Sequence, residues 1–415
     1  MKIPEINTVC FVGAGTMGCF NSLIAAVAGY RAVIYDVSTY ALGQVPQALN
    51  EMAGFLIDQG FFSADTMPDA LARIEMNPDL SEAVADAELV SESVSERLEI
   101  KRDVHRILDK LCDADTLITT NTSSLLVSDI EDVLVHGERF AALHSHLGSV
   151  LFDIVGGPRT SAISIDILER YVSSVGGMPL ILKKENPGYV LNAMIGPFLT
   201  MAQVLVIEQL ATLEDVDRAW MLNQEASCGP FGLMDLFGLN IIHDSWQAPH
   251  PSRANLRNKV MEFLSPYIEN NTLGVKSGAG FYNYPQPSYQ KTDFLHTESD
   301  LSFVYDVLST AIIESAILIA HKQIAEPIEI DRAWMVSFLV PKGPFGAIDE
   351  IGIDTFLDTR LSLVDNGLFS TGLTDLVETY LRPYLNNNHS GVKQGEGFYE
   401  YPNPAYRAAD FVAIR

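Results

Sequence analysis

In the first part of the chain, short apolar runs alternate with longer segments of mixed polarity. Such runs are typical of buried strands and such segments of helices, and their alternation predicts parallel strand–helix–strand units. The predicted strands are Thr8–Val12, Ala32–Tyr35, Ala87–Val90 and Thr116–Thr119. The predicted helices are Met17–Gly29, Pro46–Gln59, a segment around Asp69–Arg73, and Arg97–Leu111. We therefore predict an α/β domain over residues 1–184, with Pro46 in the first turn of its helix.

The pattern changes after Gly188, where helical periods dominate and the sequence repeats itself. Three segments recur in the same order. They are Leu213–Trp220 and Ile328–Trp334, Gly229–Gly232 and Gly343–Gly346, and Gly274–Pro285 and Gly391–Pro402. The shift is 114 at Trp220 and Trp334 and 117 at the last pair, a spacing too regular for chance. We therefore predict two tandem all-α domains, 185–297 and 298–415, which can pack as an internal pseudo-dimer. The repeated glycines are expected to form tight turns that dock the following Phe-Tyr pair.

Composition narrows the class of protein. Of the 415 residues, 47% are apolar and 19% are charged, which excludes a largely disordered chain. The net charge of -26 argues against nucleic acid or an anionic membrane surface as a partner, although it allows a local basic pocket for a phosphorylated ligand. The four cysteines are scattered and no Cys/His cluster has metal-ligand spacing, so we expect neither a disulfide framework nor a metal site.

Two further features concern localisation. The opening residues Met-Lys-Ile-Pro-Glu contain no apolar signal segment. The most apolar long stretch, Val190–Leu210, contains Pro197 and several polar residues, which predicts a buried helix kinked near Pro197 rather than a membrane span. We therefore expect a soluble, cytoplasmic protein without a membrane partner.

The first predicted strand runs directly into a glycine-rich loop, Gly13-x-Gly15-x-x-Gly18, and a helix follows. In such loops the first glycine permits a tight turn, the second lets a pyrophosphate approach the backbone, and the third allows close helix–strand packing. The helix N-terminus then faces the phosphates. The candidate cofactor-binding residues of this loop are Gly13, Gly15, Thr16, Met17 and Gly18.

The second predicted strand ends in Asp36, at the distance from the glycine loop that dinucleotide-binding domains show. Its carboxylate would accept hydrogen bonds from the adenosine ribose and repel a 2′-phosphate, which favours NAD over NADP. The sequence therefore predicts a Rossmann-type NAD domain. The glycine loop alone is also compatible with FAD, or with an α/β domain that binds no nucleotide.

Five further segments contain residues able to perform chemistry. They are Val90–Glu96, Asn121–Leu125, Arg139–His144, Asn186–Asn192 and the repeated Gly-Val-Lys-x-Gly-x-Gly-Phe-Tyr. With the glycine loop, these motifs resemble the L-3-hydroxyacyl-CoA dehydrogenase family over essentially the whole chain. The resemblance implies an NAD domain followed by two copies of the family's C-terminal helical domain. Relatives on this scaffold also oxidise sugar acids or carnitine-like alcohols, so the motifs indicate the family more specifically than the substrate.

The resemblance also implies roles for five polar residues. His144 matches the catalytic base, since an imidazole with a pKa of about 6.5 can take an alcohol proton at neutral pH. Ser123 matches the serine that hydrogen-bonds the reacting oxygen, and Asn192 the asparagine that helps to hold it. Glu96 matches a glutamate beside the nicotinamide, and Asn121 lies in the turn that passes the cofactor. From residue type alone, each could instead be structural: a buried histidine, a helix cap, a buried amide or part of a solvated helix face.

The segment after His144 departs from the family pattern, which reads His-x-x-Asn-Pro with an orienting glutamate further along. Here no Asn-Pro follows. Ungapped counting puts Gly156 at the glutamate position, whereas alignment on Pro158–Ser161 puts Asp153 there. We prefer Asp153, a carboxylate between two apolar residues, although its side chain is one methylene shorter than that of Glu. His146 is a second candidate for the base or for a substrate ligand.

Cations that could bind the phosphates of CoA are scarce. No lysine occurs between Lys2 and Lys101. Lys101 is a candidate cofactor-binding residue, and Lys101, Arg102 and Arg139 could serve the CoA phosphates. In the second helical copy Asp306 replaces the matched asparagine, so we expect one active site.

The leading hypothesis is NAD-dependent oxidation of a 3-hydroxyacyl-CoA to the 3-oxoacyl-CoA, with a cyclic or aromatic acyl group as one option. The first alternative is the same chemistry on a free hydroxy acid, which the scarce cations favour. The second is a nucleotide-binding or structural protein that has lost catalysis, supported only by the altered segment after His144. We expect a small-molecule partner, a CoA thioester in the leading hypothesis, and either a monomer with an internal pseudo-dimer or a homodimer.

Overall fold

A computed structural model describes residues 5–58, 60–247 and 254–413. The chain folds into two compact units. The first contains the described residues up to Val190, together with Lys322–Glu329, Val412 and Ala413. The second contains the described residues of Leu191–His321 and Ile330–Phe411, so both predicted helical copies contribute to one unit.

An eight-stranded sheet forms the centre of the first unit. Its strands are β1 (Thr8–Val12), β2 (Arg31–Tyr35), β3 (Ile74–Asn77), β4 (Leu89–Glu92), β5 (Leu117–Thr120), β6 (Phe140–Ser145), β7 (Leu151–Gly156) and β8 (Met178–Leu182). Their spatial order is β3-β2-β1-β4-β5-β6-β7-β8, and neighbours are parallel except β6 and β7, which pair antiparallel. All five residues of β1 are buried, as expected of a central parallel strand. The α/β prediction for this part of the chain is confirmed.

Helices connect these strands. They are α1 (Thr16–Val27), α2 (Thr39–Asp58), α3 (Met67–Leu71), α4 (Leu80–Val84), α5 (Leu98–Leu111), α6 (Val127–Glu131) and α7 (Ala162–Ser174). The prediction for Pro46 is wrong, because α2 begins at Thr39 and Pro46 lies in its interior. Ser38 explains the earlier start, since its Oγ accepts a hydrogen bond from Ala41 N at 3.2 Å and caps the helix.

The second unit is helical. Its helices, of which α14 begins in the first unit, are α8 (Leu191–Ile207), α9 (Leu213–Gln224), α10 (Pro230–Phe237), α11 (Leu239–Ser245), α12 (Ala254–Glu269), α13 (Ser302–His321), α14 (Pro327–Phe338), α15 (Pro344–Ile351), α16 (Ile353–Asp365) and α17 (Thr374–Asn386). Helix α8 packs against its counterpart α13. Trp220 lies edge-on against Trp334, with ring centroids 6.3 Å apart. Contacts between equivalent residues are the mark of a two-fold interface, here formed within one chain.

The repeated Gly-Phe-Tyr turns have the predicted structural role. Asp235 accepts hydrogen bonds from the backbone N–H groups of Phe281 and Tyr282, both at 2.9 Å. Asp349 accepts the equivalent pair in the second copy at 2.8 and 2.9 Å. A Cβ on Gly280 would lie 2.1 Å from Asp235 Oδ1, so only glycine fits beside this carboxylate.

One described helix, α13, is long and apolar enough to cross a bilayer by length and composition. Its most apolar stretch is 78% buried inside the protein, as is also found for core helices of soluble proteins. The apolar stretch Val190–Leu210 contains α8, and Pro197 lies in the interior of this helix.

Candidate active site

The glycine loop between β1 and α1 has room for a dinucleotide. Gly13 has a φ of +115°, and a Cβ there would lie 2.8 Å from Ser93 O. A Cβ on Gly18 would lie 1.8 Å from Gly13 O, so helix and loop pack too closely for any side chain. Gly15 faces open space, and Thr16 beside it is exposed. The first turn of α1, which includes Met17, has no acidic side chain, so its free N–H groups can receive a pyrophosphate.

Asp36 lies directly beside this loop. Its Oδ2 accepts a hydrogen bond from Ala14 N and its Oδ1 one from Ser38 N, both at 2.8 Å. A carboxylate has about four acceptor positions, so both oxygens can still accept hydroxyl groups of a ribose. The residues present therefore fit NAD: Gly13, Gly15 and Gly18 would cradle the pyrophosphate and Asp36 would bind the ribose.

A buried network of charged side chains is centred on Glu92, at the end of β4. Glu92, fully buried at the end of β4, accepts hydrogen bonds from Lys101 Nζ at 2.8 Å and Thr120 Oγ1 at 2.7 Å. His105 Nε2 lies 3.0 Å from Glu92 Oε2, the oxygen that also accepts the hydrogen bond from Thr120. Burial by itself raises the pKa of Glu92, but His105 and Lys101 more than offset this and lower the pKa to about 2. The network ties α5 to the ends of β4 and β5.

Lys101 is not the surface cation that a CoA phosphate would need, while its role as a cofactor-binding residue stays a prediction. Its side chain is only 1% exposed, and its ammonium group lies between Glu92 and Glu96, 3.4 Å from Glu96 Oε2. Two carboxylates already compensate its charge, so it cannot serve as a surface cation for a phosphate. Arg139 is excluded for the same reason, being 4% exposed and 3.1 Å from Asp109.

Glu96 holds the loop that follows β5. Its Oε1 accepts hydrogen bonds from Ser123 N at 2.9 Å, Ser124 N at 3.1 Å and the Thr122 hydroxyl at 2.5 Å. Burial raises the pKa of Glu96, but the hydrogen bond from Thr122 and the charge of Lys101 outweigh it, so the pKa is lowered. Glu96 therefore lies outside the helix α5, and its carboxylate is hydrogen-bonded to the loop after β5.

Within this loop, Ser123 and Asn121 have different surroundings. Among the described residues none bonds the half-buried hydroxyl of Ser123, and Thr122 Oγ1 accepts Leu125 N at 3.0 Å within the loop. The following helix α6 has Leu126 as its N-cap and no side-chain cap, so Ser123 is not a helix cap. Asn121 Oδ1 accepts a hydrogen bond from Ser145 N at 2.9 Å, and so joins the end of β5 to the end of β6. Ser123 is therefore available for a ligand.

His144 and Asp153 are opposite each other in the β6–β7 pairing. His144 Nδ1 lies 2.9 Å from Asp153 Oδ2, and His146 Nε2 lies 2.8 Å from the same oxygen. Gly156, the other candidate for this position, pairs instead with Ala141. The segment after His144 therefore still provides a carboxylate partner, which removes the only support for a protein that has lost catalysis.

The burial of this group decides its electrostatics. Asp153 is fully buried and His144 is 7% exposed. Burial lowers the pKa of His144, as does the nearby His146, while the hydrogen bond to Asp153 opposes both effects. Burial raises the pKa of Asp153, but the charge of His146 and the hydrogen bonds from both rings more than offset this and lower the pKa to about 2. An ionised Asp153 only accepts hydrogen bonds, so His144 donates from Nδ1 and its Nε2 carries the free lone pair.

The donor atoms of His144, His146 and Asp153 lie within 4.8 Å of one another. His144 Nδ1 and His146 Nε2 both lie within hydrogen-bond distance of the same oxygen, Asp153 Oδ2. The arrangement is therefore a hydrogen-bonded triad rather than a set of metal ligands.

The remaining candidate residues belong to the helical unit. Asn192 is the second residue of α8 and is exposed, so it is not a buried structural amide. Asp306, its counterpart on α13, is half-buried, and burial raises its pKa. The role of Asn192 toward the substrate stays a prediction.

The sequence did not reveal two residues of the site. Glu92 occurs in a motif with Glu96, but only its position as the last residue of a buried strand shows that it is interior. Tyr189 has a φ of 49° in the turn before α8, and its ring lies 5.5 Å from that of His144. Asn186 Nδ2 donates to Tyr189 O at 2.8 Å and closes this turn, a signal that the Asn-Pro-Gly-Tyr order contains.

Comparison with known proteins agrees with this geometry. The NAD-binding domain of 3-hydroxyacyl-CoA dehydrogenase matches residues 8–185, and the C-terminal domain of 3-hydroxyacyl-CoA dehydrogenase matches twice, at 188–284 and 303–401. A probable 3-hydroxyacyl-CoA dehydrogenase of Caenorhabditis elegans is 30% identical over 295 residues, which are 68% of this chain and 94% of that protein.

Two solved structures are also similar. A diketoreductase described as acting on dicarbonyl compounds has a TM-score of 0.62 and 31% identity, covering 68% of this chain and 100% of its own. The 3-hydroxybutyryl-CoA dehydrogenase of Escherichia coli K12 has a TM-score of 0.73 and 21% identity, covering 92% and 99%, a likeness of fold alone. The chain therefore belongs to the 3-hydroxyacyl-CoA dehydrogenase family, as an NAD-dependent oxidoreductase of hydroxyacyl substrates with a duplicated C-terminal domain.

Proposed function

We propose that this protein catalyses the reversible, NAD-dependent oxidation of a 3-hydroxyacyl-CoA to the corresponding 3-oxoacyl-CoA. The observation that carries the proposal is the pairing of His144 Nδ1 with the buried Asp153 carboxylate at 2.9 Å. This pairing fixes the ring so that Nε2 can take a proton, which is the task of the base in alcohol oxidation.

Four residues have separate roles in the proposed reaction. When bound, NAD supplies the acceptor for the hydride that leaves the carbinol carbon. His144 Nε2 takes the hydroxyl proton, so the carbon–oxygen bond becomes a carbonyl, and Asp153 stabilises the imidazolium that forms. Ser123 donates a hydrogen bond to the reacting oxygen, and Asn192 assists it. In the reverse direction His144 returns its proton to the oxygen.

A free hydroxy acid is the second candidate substrate. The burial of Lys101 and Arg139 favours it, since two of the three cations considered for the CoA phosphates are held in buried salt bridges. The similarity to a diketoreductase that acts on dicarbonyl compounds points in the same direction. Arg102, with 25% of its side chain exposed and 2.9 Å from Asp132, is the remaining cation of that set.

The test is NADH formation, followed by its absorbance, with a panel of alcohols. The panel contains 3-hydroxybutyryl-CoA, a long-chain, a cyclic and an aromatic 3-hydroxyacyl-CoA, and the matching free acids. His144→Gln is assayed beside the parent, with His136→Gln as the control because that side chain is 45% exposed. Turnover of a thioester that only His144→Gln loses supports the proposal. Turnover of free acids alone moves the substrate to the second candidate, and turnover that survives His144→Gln overturns the assigned base.

We infer further that the protein is a monomer. The contact between the equivalent Trp220 and Trp334 supports this, because the second helical copy supplies the two-fold partner that a single-copy protein would need from another subunit. Sedimentation of the full chain tests it, and an obligate dimer would contradict it.

A further inference from the structure

His146 is the group that distinguishes this site from a simple His–Asp pair. It follows β6 directly, two positions after His144, so both rings project toward Asp153 on the neighbouring strand. The two rings lie edge-on with centroids 4.4 Å apart. The side chain of His146 is 16% exposed, while that of Asp153 is inaccessible. The carboxylate is thus shared between one deeply buried ring and one ring that reaches solvent.

Sharing one oxygen has an electrostatic consequence. A single carboxylate compensates one imidazolium, so a proton on each ring would leave a net positive charge in a buried site. A positive charge on His146 therefore disfavours a positive charge on His144. The second oxygen, Asp153 Oδ1, has no hydrogen-bond partner among the described residues, so it offers no separate compensation.

We propose that His146 is a positioning residue of the dehydrogenation site, acting on His144 through the shared oxygen of Asp153. The proposal rests on the proposed function, in which His144 is the base. His146 takes part of the hydrogen-bonding capacity of Asp153 and, when charged, repels the proton that His144 would accept. It thereby keeps His144 neutral, and so able to act, at lower pH than a two-residue pair would.

Other charged or titratable groups face His144 from the elements packed around it. Glu96, from the loop after β4, favours the charged ring. Tyr189, from the turn before α8, is uncharged, because burial raises the pKa of its hydroxyl well above the usual range. Glu96 and Asp153 therefore act against His146, and replacing His146 leaves two carboxylates that both stabilise the imidazolium.

The experiment replaces His146 by Gln, whose amide can still donate to Asp153 but cannot carry a proton. We measure kcat/KM against pH for the full chain with saturating NAD and the substrate found in the panel. The acid limb reports the ionisation of the base. It should move to higher pH by about one unit in His146→Gln. His296→Gln, at an exposed position, is the matched control and should leave the limb in place. An unmoved limb in His146→Gln overturns the proposal.

A second measurement does not depend on activity. Nitrogen NMR of the histidine-labelled chain follows the titration of His144, identified by the signal missing in His144→Gln. Its midpoint should rise in His146→Gln, and also in His146→Asn should the first variant fold poorly. If the midpoint rises while no alcohol in the panel is oxidised, the proposed function fails and the coupling stands. If the midpoint does not change, the coupling fails whatever the activity.

Discussion

His144 and Asp153 are directly opposite residues of the antiparallel strands β6 and β7, and this register places Nδ1 2.9 Å from Oδ2. Side chains of opposite residues lie on the same face of a sheet and close together. The orienting carboxylate is therefore held by the sheet itself, and an aspartate reaches the ring although it is one methylene shorter than the glutamate of the family pattern.

Replacing Asp153 with Asn should lower kcat/KM by about 10²–10⁴-fold. The amide can donate to Nδ1, which turns His144 to the tautomer whose Nε2 carries a proton and cannot accept another. NAD affinity should not change, because Asp36 and the glycine loop are untouched. Steady-state kinetics and an NAD titration measure the two effects. Loss of NAD binding together with activity would show that the variant disturbs the fold instead.

Ser123 and Ser124 provide a matched pair of substitutions. Ser123→Ala should reduce kcat/KM by about 10-fold or more without a change in stability, because its hydroxyl bonds no described residue and is free for the substrate oxygen. Ser124→Ala removes the hydroxyl that donates to Glu96 at 3.0 Å, so it should cost about 1 kcal/mol of unfolding free energy. Measurements of kcat/KM and of urea unfolding for both variants separate the two effects. An equal fall in kcat/KM in Ser123→Ala and Ser124→Ala would argue against the role of Ser123.

The sequence predicts well those features that local patterns determine. Thr8–Val12 is a strand with the predicted bounds, because a continuous apolar run that ends at a glycine loop is a local property. The repeat predicts that equivalent residues adopt equivalent structures, and Asp235 and Asp349 show this in detail. The start of α2 was missed because Ser38, a cap three residues after the end of β2, carries a weaker signal than Pro46.

Features that depend on how strands pair, or on which side chains meet in the folded chain, could not be predicted. Apolar runs do not reveal that β6 and β7 are antiparallel, so the sharing of Asp153 between His144 and His146 emerges only from the register. The sequence made Lys101 a candidate for a phosphate contact. Lys101 is instead buried, because Glu92 at the end of β4 compensates a charge that composition alone assigns to the surface.

Removing the charge of Glu92 tests the buried network. Glu92→Gln should lower the free energy of unfolding by about 3–5 kcal/mol, since it leaves Lys101 buried beside only one carboxylate. Urea unfolding measures this loss. Glu99 is exposed on α5, the helix that contains Lys101, so Glu99→Gln serves as the control, with no change expected.

Glu92 and Asp153, the carboxylates of two separate buried groups, predict how stability depends on pH. Burial raises the pKa values of Glu92 and Asp153, but their charged and hydrogen-bonded partners lower both to about 2. A carboxyl whose pKa is lower in the folded chain stabilises the fold above its ordinary pKa and loses that contribution as the pH falls toward 2. Unfolding free energy should therefore fall steadily below pH 4.5 in the parent and less steeply in Glu92→Gln. Identical slopes would contradict the assignment.

Asp36 should set the choice of cofactor. Asp36→Ser removes the negative charge that repels a 2′-phosphate and the acceptor of the Ala14 hydrogen bond. The ratio of kcat/KM for NAD to that for NADP should fall by about 10–100-fold, the value of one or two hydrogen bonds to a charged group. Kinetics with both cofactors measure it, and an unchanged ratio would assign the ribose to another residue. Asp69→Ser, at an exposed position, is the control.

The last prediction concerns the two helical copies. Asp217 accepts hydrogen bonds from Phe231 N at 2.8 Å and the Tyr282 hydroxyl at 2.8 Å. Asp331 accepts the equivalent bonds in the second copy, from Phe345 N at 2.8 Å and the Tyr399 hydroxyl at 2.9 Å. Both carboxyl groups are fully buried. Asp217→Ala and Asp331→Ala should each cost about 3 kcal/mol or more, because each leaves several buried donors without an acceptor.

Stability and activity should then separate the copies. The two losses in unfolding free energy should be similar, whereas Asp358→Ala, at an exposed position, should have none. If the second copy is scaffold, Asp331→Ala should leave kcat/KM per folded molecule unchanged and one NAD bound per chain. A fall in kcat/KM of the folded Asp331→Ala protein would mean that the second copy contributes to the site. In that case Asp306, at the position of Asn192, would be the first residue to replace.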